Sequence, residues 1–272
     1  MTTGGSAARN GNYVDAGSVR TYYEKTGSGD PLVLFHGGFC TAETFDGITP
    51  HLAQDYTVFV PERRGHGHTA DVAGPITYKN MAVDMIAFLD AISVSHAHLV
   101  GFSDGAMVAL LVALERPDLV NRLVLIGQPI NHDGAPDFVR AMIPNFSQEM
   151  LPPHFKEQYA AASPDGPEHF DVVFEKVRAE LIREPTMKFE DVAGLAAPTL
   201  VLLGDHDMIT PEHAMALVRS IPVAQLGIVP GAEHSLPMDK PDLVVRLVAD
   251  FLTANLSGGP RPRNDDAIGG AP

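Results

Sequence analysis

Ser103 stands at the centre of Gly101-Phe102-Ser103-Asp104-Gly105, between the apolar run at 98–100 and a longer one at 106–114. A serine on a sharp turn from strand to helix has its hydroxyl lifted off the sheet. Side chains two residues to either side would collide there, which accounts for glycine at 101 and 105. Such a hydroxyl becomes a nucleophile when a histidine takes its proton and a carboxylate orients that histidine. Both types follow later apolar runs: 200–203 leads into Gly204-Asp205-His206-Asp207, and 225–229 leads into Pro230-Gly231-Ala232-Glu233-His234. Upstream, 32–35 leads into His36-Gly37-Gly38-Phe39, a turn able to aim backbone N–H groups at an oxygen that gains negative charge. Together these groups would perform acyl transfer. The pentapeptide alone is common enough by composition that its weight comes from the other three segments.

The elements that must position them read as a repeating pattern of apolar strand, loop and amphipathic helix from Pro31 onward. Strand-like runs at 32–35, 57–60, 98–101, 123–126, 200–203 and 225–229 are mostly continuous rather than alternating, as expected of strands covered on both faces. In a parallel sheet the carboxyl ends of such strands lie along one edge, so groups far apart in sequence converge there. Two short alternating segments around Gly17, within 12–24, suggest a leading antiparallel hairpin. Thr77 can cap a helix that buries Met81, Met85, Leu89 and Ile92. Thr210-Pro211 places a capping hydroxyl before a proline at the first helical position. Asp239 can cap a closing helix with Leu243, Leu247 and Phe251 on its inner face. The alternation breaks once, over 128–189, where short helical patterns at 136–142, 153–162 and 168–183 are punctuated by prolines with no convincing strand. Residues 1–11 and 257–272 are rich in Gly, Pro, Ser and Asn and are expected to be disordered.

Composition narrows the classes. The 272 residues suffice for one large domain with an insertion, and 45% hydrophobic content supports a sizeable core. A formal net charge of −15 opposes nucleic acid or an anionic membrane surface as partner, and no basic run exceeds Arg63-Arg64. The single cysteine, Cys40, excludes an internal disulfide. With no signal-peptide pattern or membrane-spanning run, the expectation is a cytoplasmic protein acting on a small molecule, its oligomeric state unspecified.

With these features the chain resembles the α/β-hydrolase superfamily, in its lidded branch of small serine hydrolases that includes carboxylesterases, lactonases and carbon–carbon hydrolases. The resemblance covers 12–256. Pro61-Glu62-Arg63-Arg64-Gly65-His66-Gly67-His68-Thr69 is similar to that family's Arg-Gly-x-Gly-x-Ser segment, and its acid motif, Gly-x-x-Asp-x-x-x-Pro, matches Gly204, Asp207 and Pro211. The match favours Asp207 over Asp205 as the acid. It implies an α/β fold with a mostly parallel sheet, a core of 12–127 and 190–256, and a helical cap over 128–189. Ser103, His234 and Asp207 would be catalytic. The N–H groups of Gly38 and Asp104 would form the oxyanion hole, with Phe39 the alternative to Gly38. Phe39, Phe102, Met142, Phe146, Phe155 and Tyr159 would contact substrate, although the aromatic residues of the cap, Phe170 and Phe174 included, have an equal claim to be its own small core.

The implied reaction is hydrolysis of a small or medium apolar ester, lactone or thioester with no metal or organic cofactor. Carbon–carbon hydrolysis, perhydrolysis, or ligand binding with little turnover are the alternatives. Plainer roles compete at several positions. A carboxylate at Asp104 complements the helix dipole, His36 braces its turn, and Cys40 is a small buried apolar group. The pairs His66/His68 and His96/His98 lack the further ligands a metal site needs.

Overall fold

The computed structural model describes residues 11–256, so the expectation for 257–272, and for all but Gly11 of 1–11, lies outside the described residues. Among the described residues eight strands form one sheet: β1 (Asn12–Ala16), β2 (Val19–Thr26), β3 (Asp30–Phe35), β4 (Tyr56–Pro61), β5 (Ala97–Phe102), β6 (Val120–Ile126), β7 (Thr199–Gly204) and β8 (Ala224–Val229). Nine α-helices join them among the described residues: α1 (Thr49–Leu52), α2 (Tyr78–Ala91), α3 (Asp104–Glu115), α4 (Asp137–Met142), α5 (Pro153–Ala162), α6 (Phe170–Arg183), α7 (Pro211–Ser220), α8 (Leu236–Asp239) and α9 (Pro241–Thr253).

The strand order is β1-β2-β4-β3-β5-β6-β7-β8. β1 and β2 form an antiparallel hairpin whose turn uses Gly17 at φ 61°, and β2 runs antiparallel to β4. Every later pairing is parallel. The chain goes from β3 outward to β4 and then crosses back to β5 on the other flank of β3. The carboxyl ends of β3 and β5, with Phe35 opposite Gly101, therefore border the crevice where an open α/β sheet binds ligands.

Successive residues of the central strands alternate between two apolar layers. Val33, Leu99, Leu123, Leu125 and Val201 face α2, α3 and α7. Leu32, Leu34, Val100, Val124 and Leu202 face α1 and α9. Both layers are built of buried apolar side chains, so these strands carry no polar alternation. β8 departs from that expectation: as the edge strand it is only half covered, and Ile228 is exposed.

Thr77 and Thr210 accept from Asn80 N–H and His213 N–H and cap α2 and α7. The closing helix differs from the sequence reading. Asp239 ends α8, and α9 begins at Pro241 with Lys240 before it and no side-chain cap. Its buried face is Val244, Val248, Phe251 and Leu252, leaving Leu243 exposed. The buried stripe thus lies one residue along from the expected one, with Leu247 partly buried beside it and Phe251 common to both.

Between β6 and β7 the chain leaves the sheet through α4, α5 and α6, closed at its base by an isolated bridge between Asn131 and Thr186. Phe170, Val173, Phe174, Val177 and Glu180 occupy the buried face of α6, spaced three and four apart. No helix among the described residues is long and apolar enough to cross a membrane.

Candidate active site

Ser103 connects β5 to α3 with φ 51° and ψ −127°, a left-handed conformation that costs energy in any residue but glycine. A Cβ at Gly101 would overlap the backbone of Gly105 and Ala106. One at Gly105 would overlap the carbonyls of Phe35 and His36. The two glycines thus allow the turn to close against both its own helix and the end of β3.

His234, in the loop after β8, places Nε2 3.1 Å from Ser103 Oγ, and its Nδ1 lies 2.8 Å from Asp207 Oδ1. An ionised carboxylate only accepts, so Nδ1 carries the proton and Nε2 turns its lone pair to the serine hydroxyl. Asp207 is buried, and its carboxylate also accepts from Met208 N–H at 2.7 Å and Gly204 N–H at 3.3 Å. Asp205 points elsewhere: it accepts from Ala232 N–H, and its side chain is 39% exposed. Gly127, at φ 64°, passes the His–Asp pair so closely that a Cβ would sit 3.3 Å from the imidazole. Ser103 and His234 are only half-buried within this otherwise buried group, leaving the serine reachable.

Asp104 is the first residue of α3, so its N–H has no partner within the helix. Its buried carboxylate accepts from the Tyr78 hydroxyl at 2.8 Å, and a Cβ at Gly38 would overlap Oδ2. Burial raises the Asp104 carboxyl above the usual range, against the opposing pull of Arg63 and then of Tyr78. A Cβ on Gly37 would come 3.3 Å from Ser103 Cβ, so the turn after β3 lies directly against the serine. Phe39 has φ 58° and is buried. His36, wholly buried, touches Gly37 O through Nδ1 at 2.8 Å and accepts from Arg63 N–H at Nε2. Burial, then Arg63, holds it well below the usual imidazole range. Burial pushes the Cys40 thiol up to about 11, which leaves it a neutral packing group.

The aromatic residues of the excursion meet the turn. Phe39 stacks on Phe174 at 5.5 Å and approaches Phe146 and Phe170 at 6.2 and 6.4 Å; Tyr159 meets Phe170 edge-on. Phe102 lies 5.2 Å from the His234 ring, and half-buried Phe155 packs against both apolar layers. Met142 is different: it ends α4, half-buried, and belongs to neither layer. Tyr78 and Glu180, which the sequence did not single out, are buried here, as is Arg63, which the sequence placed in a motif without a role of its own. Of the two, only Glu180 had a usable signal, as a carboxylate continuing the apolar face of α6.

The histidine pairs are dispersed. His66 Nδ1 lies on Arg64 O, while His68 Nδ1 lies on Glu62, itself held by Ala42 N–H. His96 Nδ1 meets Ser95, and His98 lies edge-on to Tyr56. No group of three or more His, Cys, Asp or Glu side chains among the described residues is placed to hold a metal ion.

A family model described as the alpha/beta hydrolase family matches residues 32–247. Pyrrolizixenacetamide deacetylase of Xenorhabdus hominickii is 29% identical over 262 residues, spanning 89% of this chain and 97% of its own. The 2-hydroxy-6-oxo-2,4-heptadienoate hydrolase of Pseudomonas putida is 27% identical over 270 residues, spanning 90% and 96%. Among solved structures, a meta-cleavage product hydrolase of Pseudomonas fluorescens superposes with a TM-score of 0.75 at 25% identity, covering 89% of this chain and 97% of that one.

Proposed function

The chain belongs to the alpha/beta hydrolase family, and on that footing we propose that it is a cofactor-independent serine hydrolase acting on a small or medium apolar ester, lactone or thioester. The observation that carries the reading is the hydrogen-bonded chain from Ser103 through His234 to Asp207. Ser103 Oγ attacks the carbonyl carbon while its proton passes to His234 Nε2, and Asp207 stabilises the imidazolium that results. The carbonyl oxygen becomes an oxyanion held by the N–H groups of Asp104 and Gly38. As the tetrahedral intermediate collapses, the bond to the leaving group breaks and His234 returns the proton to it. Water, deprotonated by the same imidazole, then releases the acid from the acyl-enzyme.

The excursion between β6 and β7 acts as a cap in this reading, and its aromatic face supplies an apolar wall with Phe39 and Phe102. What leans toward uncharged acyl groups is the buried Asp104 carboxylate beside the nucleophile, which opposes a second negative charge. Hydrolysis of a carbon–carbon bond in a diketone by the same groups is a second reading, favoured by the hydroxy-oxo-dienoate named for the P. putida relative.

The test is intact-protein mass after exposure to a fluorophosphonate, with Ser103→Ala and His234→Ala alongside. Turnover of p-nitrophenyl esters of increasing chain length and of a hydroxy-oxo-dienoate follows. Single-site labelling lost in both variants, with ester turnover, is the expected result. Faster dienoate turnover would favour the second reading, labelling without turnover a binding role, and absence of labelling would sink the proposal.

A further inference from the structure

The proposed reaction leaves the fully buried guanidinium of Arg63 without a role. Arg63 follows β4 and lies beneath the turn after β3. Its Nη2 donates to His36 O at 2.5 Å and to Gly37 O at 2.9 Å, and Nη1 reaches Met81 Sδ at 3.2 Å. A buried charge is costly unless it is bonded; Nε has no partner here, and the bonds that are made go chiefly to two consecutive carbonyls of one turn. His36 converges on the second of them. Its Nε2 accepts from the Arg63 N–H at 3.1 Å, so the ring proton sits on Nδ1, which donates to Gly37 O at 2.8 Å. With the longer bond from Cys40 N–H at 3.4 Å, the Gly37 carbonyl thus meets three donors, one of them charged.

The Gly37 carbonyl and the Gly38 N–H belong to the same peptide unit. That unit is trans, so the two groups point in opposite directions. Drawing the carbonyl down onto Arg63 and His36 therefore turns the Gly38 N–H the opposite way, within a turn that abuts Ser103 Cβ and the Asp104 carboxylate. The donors on the carbonyl, the charged one above all, also polarise the peptide and strengthen its N–H as a donor.

We infer that Arg63 is a positioning residue of the oxyanion hole, holding the 37–38 peptide so that Gly38 N–H faces the oxygen that becomes charged. The inference rests on the serine hydrolase reading. A merely structural arginine would affect the amount and melting temperature of folded protein but not turnover by the molecules that fold. A positioning arginine acts on the transition state, so its loss lowers kcat at nearly constant KM.

The experiment compares wild type with Arg63→Lys, which keeps a charge but lacks the planar fork, and with Arg63→Met. Kinetics are normalised to folded protein by circular dichroism. A trifluoromethyl ketone that binds as a hemiketal oxyanion reports on the hole directly. For Arg63→Met, a loss of about 10²-fold in kcat, with KM within about 3-fold and ketone affinity falling in parallel, is the expected result. Arg63→Lys should fall between Met and wild type. In wild-type protein, the Gly38 amide proton should move downfield when Ser103 is phosphonylated. Folded variants with wild-type kcat would overturn the inference. If neither variant folds, a Gly38 resonance unmoved in wild type overturns it instead. Failure of wild-type labelling would strike the parent reading, whereas normal labelling with unaffected variants strikes this inference alone.

Discussion

Tyr78 donates its phenolic hydroxyl to Asp104 Oδ1 at 2.8 Å, joining the first residue of α2 to the first residue of α3. Both side chains are buried. The Tyr78 backbone N–H is in turn held by Glu180 Oε1, on α6, at 2.8 Å. Three helices, one of them from the excursion between β6 and β7, thus meet beside Ser103.

Replacing Tyr78 with Phe leaves a buried carboxylate short of one donor. The expected destabilisation is about 1–3 kcal/mol. Urea unfolding measures it, and an unchanged midpoint would show that water replaces the hydroxyl at no loss.

His234 rests on Asp207, whereas Asp205 is bound to Ala232 N–H and faces solvent. Asp207→Asn should lower kcat by several orders of magnitude, because an amide favours the wrong imidazole tautomer, while Asp205→Asn should change it by less than about tenfold. Steady-state ester kinetics on both variants decide the point; the reverse order would move the acid.

Gly38→Ala would place a methyl group onto Asp104 Oδ2. Either the turn or the carboxylate must shift, and one oxyanion donor shifts with it. A loss of roughly 10²-fold in kcat is expected, comparable to deleting a donor. Wild-type turnover by Gly38→Ala would place the hole elsewhere.

Burial, then Arg63, pushes the His66 imidazole down to about 3. In the unfolded chain it titrates near pH 6.5, so below that pH the unfolded state binds the extra proton and stability falls as pH drops toward the folded value. For His66 the loss amounts to about 2 kcal/mol by pH 5. Urea midpoints at pH 7 and pH 5 should differ less in His66→Gln than in wild type. An equal difference would show that native His66 takes up the proton.

Asp71, in the loop after β4, accepts from Lys176 Nζ at 2.6 Å and from His169 Nε2 at 2.9 Å, and its N–H donates to Asp165 Oδ2. Burial opposes its charge, but Lys176 and His169 outweigh that and hold the carboxyl below the usual range. The contribution to stability is therefore present at neutral pH and lost as pH falls through the acidic range. Asp71→Asn should raise amide hydrogen exchange across 163–176 while leaving β5 and β6 protected. Unchanged exchange would mean that the apolar face of α6 alone seats the segment.

The sequence by itself determined the architecture and the neighbourhood of the site. Continuous apolar runs mark strands covered on both faces, glycines at 101 and 105 mark a turn that no side chain could share, and a parallel sheet brings the ends of its strands to one edge. These are local signals, carried by spacing along the chain. The acid motif favoured Asp207, which the structure lays on His234; only the tertiary structure decided where α9 begins and which face it buries, and that Met142 belongs to neither apolar layer. It alone revealed Arg63 under Gly37, 26 residues away, and Glu180 on Tyr78, 102 residues away. No periodicity encodes such pairs, because a hydrogen bond between distant elements depends on how those elements pack.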